Sequence, residues 1–179
     1  MMNPSADPQA RSRQAEGGWS APNVLGRLSG AWTFERGISN QANMTGRARF
    51  LPGQGDHLRY EESGTLILPT GQAIQAHRSY LYFALENGFS VWFDEPEPRL
   101  FHEVRLAAAG DVLRGAATHP CGRDQYDTVY EFRPDGSFLI RHDVKGPRKD
   151  YVSVTVFRRD ESPSAPGDLS PDGFGQPSA

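Results

Sequence analysis

The 179-residue sequence holds a single cysteine, Cys121, so no disulfide can form within the chain. Small secreted domains lean on such bridges, and their absence points to a reducing, cytoplasmic setting. The N-terminus lacks a basic start followed by an apolar run, so no secretory signal is expected. No apolar stretch approaches the ~18 residues that a membrane span requires. An excess of one charge is missing too: 19 Lys and Arg stand against 22 Asp and Glu. The two ends hold Arg11 and Arg13 against Asp7, Glu16, Asp160, Glu161, Asp168 and Asp172, which leaves 17 basic and 16 acidic groups between them. A nearly neutral middle is no footprint for nucleic acid or a membrane surface.

Apolar periodicity is scarce at both ends. Residues 1–21 and 160–179 are rich in Pro, Ser, Gly and Asp. Such segments cannot bury enough apolar surface to offset their ordering entropy, and both are predicted to be disordered tails. Residues 22–159 remain, enough for one domain, as a monomer or a homodimer.

Helical periodicity is nearly missing as well. The one candidate is 22–29, where Val24, Leu25 and Leu28 share a face. What is abundant is strand and turn. Alternating segments are predicted at 31–38, 45–51, 57–68, 72–85, 88–93, 99–106, 111–119, 125–133, 136–143 and 150–158. Turn residues separate them, among them Pro52-Gly53, Asn87-Gly88, Asp135-Gly136 and Gly146-Pro147. Asn-Gly and Asp-Gly favour the positive backbone angles of tight hairpins. About ten strands joined by hairpins imply an antiparallel meander, and closing it removes its edges. The expected fold is all-β: a closed up-and-down antiparallel barrel with a short N-terminal helix plugging one end. A two-sheet sandwich is the alternative.

Alternation assigns the strand faces. Arg36 shares a face with Trp32, Phe34 and Ile38, and Glu62 with Leu58 and Tyr60. Arg78 stands between Ala76 and Tyr80, and His102 between Leu100 and Val104. His119 and Cys121 follow Leu113 and Ala117, and Asp124 leads Tyr126, Thr128, Tyr130 and Phe132. Unpaired charge inside a fold is costly, so these groups must meet each other, water or a ligand. A ring of ion pairs, Arg36 or Arg78 with Glu62 or Asp124, is one reading. A cavity with a few convergent polar groups is the other. Its arginines, Arg36, Arg78, Arg141 and the Arg148/Lys149 pair, suit a carboxylate or phosphate, and its tyrosines supply walls with hydroxyl handles.

The densest chemistry is His119-Pro120-Cys121-Gly122-Arg123-Asp124-Gln125-Tyr126. A metal would need ligands beyond His119 and Cys121, with His102 a candidate, and none is assigned. A Cys-His nucleophile would need an oxyanion hole that nothing marks. Haem on His102 or His119 is neither required nor excluded. The plain alternative is a strand end whose His and Asp hydrogen-bond at the rim.

Gly30-Ala31-Trp32 resembles the Gly-x-Trp opening of calycin (lipocalin-like) barrels, which implies a tryptophan packed across the closed end. More broadly, the chain resembles the bacterial domain-of-unknown-function family 6314. The resemblance is carried by Gly30–Arg36, Tyr60-Glu61-Glu62-Ser63-Gly64, Arg78-Ser79-Tyr80, Phe101-His102, the 119–126 segment and Gly146–Tyr151. It implies a small barrel and brings no activity or ligand. It marks Trp32, Arg36, Tyr60, Glu62, Arg78, Tyr80, His102, His119, Cys121, Asp124, Tyr126 and Lys149 as motif positions.

The expectation is a barrel binding a small anionic or polar molecule through Arg36, Tyr60, Glu62, Arg78, Tyr80, His102, His119, Asp124, Tyr126 and Arg141. The alternatives are an isomerase, lyase or hydrolase with His119 or His102 as general base, and a structural or partner-binding module.

Overall fold

The computed structural model describes residues 18–161, so most of both tails lies outside the described residues. A short helix, α1 (Val24–Leu28), precedes ten strands. These are β1 (Gly30–Ile38), β2 (Ala42–Pro52), β3 (His57–Ile67), β4 (Ala73–Leu85), β5 (Gly88–Phe93), β6 (Arg99–Ala109), β7 (Val112–Cys121), β8 (Asp124–Phe132), β9 (Phe138–Gly146) and β10 (Lys149–Arg159). Each strand pairs with its sequence neighbours, and β1 closes on β10 from Trp32↔Arg159 to Ile38↔Ser153. The closed barrel overturns the sandwich, because all ten strands follow one another in a single closed circuit.

The hairpins form where turn chemistry favours them. In the β8–β9 turn, the Asp135 carboxylate accepts from the Ser137 backbone N–H (2.9 Å) and hydroxyl (2.6 Å), while Gly136 takes φ 83°. Two turns are tighter than expected. Cys121 pairs directly with Asp124, and Gly146 with Lys149, so the 119–126 and 145–151 segments are mostly strand.

One end of the barrel is sealed by aromatics. Trp32 is fully buried and donates its indole N–H to the Leu28 carbonyl (2.8 Å), tying β1 to α1. Val24 and Leu28 turn their side chains into the same layer. Trp19 packs on Phe132 with ring centres 4.8 Å apart, so packing begins three residues before the expected boundary at 22. Arg159 lies 4.0 Å over the Trp32 ring as a cation–π lid. The barrel's middle is filled by Phe34, Phe50, Tyr82, Phe89, Val104 and Phe157, all buried. What stays open is the other end.

The expected face of β6 needs correction. Pairing with β5 shifts between Val91↔His102 and Trp92↔Leu100, so Phe101 is the extra residue of a bulge. Bulges re-aim side chains. Phe101 and His102 are both buried, while Leu100 is 41% exposed. Toward the open end β6 and β7 also part: their pairing runs from Ala109↔Val112 only to Arg105↔Ala116.

Candidate functional site

β1, β3, β4 and β10 bring a buried ion pair to the middle of the open half. The Arg36 guanidinium donates to both Glu62 oxygens (2.8 and 2.6 Å) and through Nε to Thr155 Oγ1 (2.7 Å). The Tyr60 hydroxyl donates a short hydrogen bond to Glu62 Oε2. Burial pushes the Glu62 carboxyl upward, but Arg36, Arg78 and Tyr60 together bring it below the ordinary range. Both partners are nearly inaccessible, with side-chain exposures of 9% and 3%. Arg36, Tyr60 and Glu62 therefore form the satisfied structural pairing that was one of the two expectations.

Above this plug lies the other, a cavity of about 270 Å³. Arg36 and Arg78 meet it on one side, and Tyr80, Phe93, Phe101, His119, Tyr126, His142 and Tyr151 present ring after ring around it. Ile38, Val144, Ser153 and Cys121 complete the wall. A further void of about 20 Å³ lies below, bounded by Tyr60, Tyr82 and Tyr130, with room for a single water.

Arg78 differs from Arg36. Its Nε stands 3.8 Å from Glu62 Oε1, beyond hydrogen-bond reach, and its side chain is 48% exposed. The guanidinium sits 5.9 Å from the Tyr80 ring centre. It is the cavity's accessible cation. Tyr80 stacks on Phe101, with centres 5.8 Å apart and planes 10° from parallel.

The histidines occupy different depths. His119 lines the cavity and packs edge-on against Phe101 at 4.9 Å. His102 lies deeper, bonded through Nε2 to the Tyr130 hydroxyl (2.9 Å), and does not line the cavity. Its Nδ1 is buried without a partner. Burial, then the nearby His142 and His119, lower its pKa to about 3. His142 was not singled out by sequence, yet it lines both the cavity and the void below. Its Nδ1 meets the Thr128 hydroxyl at 2.9 Å. Burial, then the charges of Arg78 and Arg36, lower its pKa to about 4, so it is neutral at pH 7. Alternation marks it: His142 follows Phe138 and Ile140 on one face.

Two expected site residues lie elsewhere. Arg141 is exposed on the outer face of β9 and pairs with Asp143 (2.9 Å). Strand phase requires this, since its neighbours Ile140 and His142 point inward. Asp124 sits at the rim, bonded to Lys149 (2.7 Å) across Gly146. Lys149 also donates to the Tyr126 hydroxyl (2.9 Å) and is held above its ordinary pKa by Asp124 and then Tyr126.

A second hollow, on the outer side of β2–β4, measures about 410 Å³ and is bordered by Arg47, Arg49 and Arg59, and Arg78 reaches it as well as the chamber. Arg59 is taken by Asp94 (2.8 Å) and Glu61 (2.7 Å), and Arg47 faces Asp160 at 3.4 Å. Size alone does not make it the better site. Among the described residues, no group of three or more His, Cys, Asp or Glu could hold a metal ion.

Comparison with solved structures gives the same architecture. The S-type phycobiliprotein lyase CPES from Guillardia theta superposes with a TM-score of 0.58 at 13% identity, covering 87% of this chain and all of that one. The fluorescent protein UnaG (TM-score 0.34, 16% identity, 76% and 100% coverage) and the redesigned β-barrel mFAP1 bound to DFHBI (0.38, 14%, 76% and 99%) are more distant. No curated protein matches by sequence. The fold is thus a calycin-like barrel, and the chain, matched over residues 28–159, belongs to the family of unknown function DUF6314.

Proposed function

We propose that this barrel binds a small anionic molecule in the cavity at its open end, with Arg78 as the anchoring cation. The observation that carries the reading is the contrast between the two arginines. Arg36 is sealed into a complete ion pair, whereas Arg78 meets the same cavity with its charge incompletely matched. A cation held at the lip of an aromatic-walled hollow is poised to take a carboxylate or phosphate through charge-assisted hydrogen bonds. Tyr80, Tyr126 and Tyr151 add hydroxyl handles on apolar walls.

Binding is favoured over general-base catalysis by His102, and His119, the other candidate base, stands in the cavity wall against Phe101. A base works best with a pKa near the operating pH. His102 and His142 are held far below neutrality, and His102 lies beneath the cavity. Native mass spectrometry of the full chain purified from cells tests the reading. The expected result is a retained molecule of small mass that is lost in a Ser153→Trp variant, whose indole fills the cavity. A retained molecule indifferent to that substitution would contradict it.

A further inference from the structure

Resting on that reading, we infer that the ligand is a compact aromatic acid, its ring set among Tyr80, Phe101 and Tyr126 and its carboxylate on Arg78. Three observations carry this beyond a generic anion. The first is size. A cavity of about 270 Å³ is small for a ligand site. That lies below the ~300–1,000 Å³ of most drug-sized sites. The second is the floor. The Arg36–Glu62–Tyr60 plug and the tyrosines beneath it leave only about 20 Å³, so an alkyl chain cannot thread down the barrel as it would in a hollow one. A whole tetrapyrrole, haem included, cannot be enclosed.

The third observation is the wall. Phe101 meets Tyr80 face to face and both His119 and Tyr126 edge-on, at 69° and 77°. Rings offered both by face and by edge suit a flat unsaturated ligand, which can stack on one wall and receive edges from another. The β6 bulge is what brings Phe101 there. His142 adds polarity at the inner end: Thr128 occupies its Nδ1.

Titration calorimetry on the full chain decides the matter with a panel of benzoate, indole-3-carboxylate, benzamide, cyclohexanecarboxylate, palmitate and haemin. The two aromatic acids should bind at least tenfold tighter than benzamide, which has the ring without the charge. They should exceed cyclohexanecarboxylate, which has the charge without the flat ring, by a similar factor. Arg78→Gln should weaken the aromatic acids at least tenfold and remove most of their margin over benzamide. Equal binding of benzamide or cyclohexanecarboxylate, or displacement of benzoate by palmitate or haemin, would overturn the aromatic-acid assignment while leaving a small-molecule cavity. If no member of the panel bound and no small molecule copurified, both this inference and the binding reading would fall.

Discussion

Arg36 and Glu62 illustrate how a buried charge pair constrains a barrel. Each satisfies the other through two hydrogen bonds, and Thr155 and Tyr60 take up the remaining capacity. Removing one partner strands a charge with almost no access to water. Arg36→Met or Glu62→Leu alone should therefore cost about 3–5 kcal/mol in urea unfolding, whereas the double variant should recover most of the loss. A double-variant cost equal to the sum of the two single costs would show the pair to be uncoupled. The histidines give a pH dependence whose sign is fixed. His142 and His102 are neutral in the fold, with pKa values lowered from 6.5 to about 4 and about 3. Below pH 6.5 the unfolded chain takes up protons that the folded chain refuses. Their stabilising contribution is complete above that pH and is lost as pH falls toward the folded values. Each contributes a slope of up to ~1.4 kcal/mol per pH unit between 6.5 and 4.5. His142→Gln should remove one histidine's share, measured as a flatter dependence of the urea midpoint on pH.

Among the elements, the ten strands and most of their turns were legible from alternation and Gly-containing pairs. The bulge at Phe101 was not. One extra residue reverses the phase of a strand, and neither Leu100 nor Phe101 signals by its type which side it will take. His142 was legible and overlooked, since its phase with Phe138 and Ile140 marks it as inward. Arg141 carries the charge that an anion site calls for, yet its phase turns it outward onto Asp143. Asp124 shares its alternation with Tyr126 and Tyr130 but ends at the rim, where its pairing with Lys149 depends on Gly146 leaving room. A glycine pair shapes the wall at β2–β3. Gly46 faces Gly64, and a Cβ on Gly46 would come 2.7 Å from the Gly64 Cα and collide with the Ser63 carbonyl. Gly46→Val should destabilise the barrel by at least ~2 kcal/mol through this backbone clash, seen as a lowered Tm. An unchanged Tm would mean that the wall yields there.

Taken as a whole molecule, the barrel divides along its axis. One half is a sealed aromatic core closed by α1, Trp19 and Trp32, and the other is a small chamber above a salt-bridge plug. Trp32→Ala should cost about 3–5 kcal/mol by opening the sealed end, yet the chamber is built from other layers. The chain's single thiol sits on that chamber's wall and is exposed. Cys121 thereby reports occupancy without any engineered label. The direct measurement is its rate of modification by a maleimide, with and without saturating indole-3-carboxylate at constant pH. The rate should fall at least fivefold in the native chain and stay unslowed in Arg78→Gln. An unaltered rate in the native chain, under conditions where calorimetry shows the acid to be bound, would place the ligand outside the chamber and contradict the account.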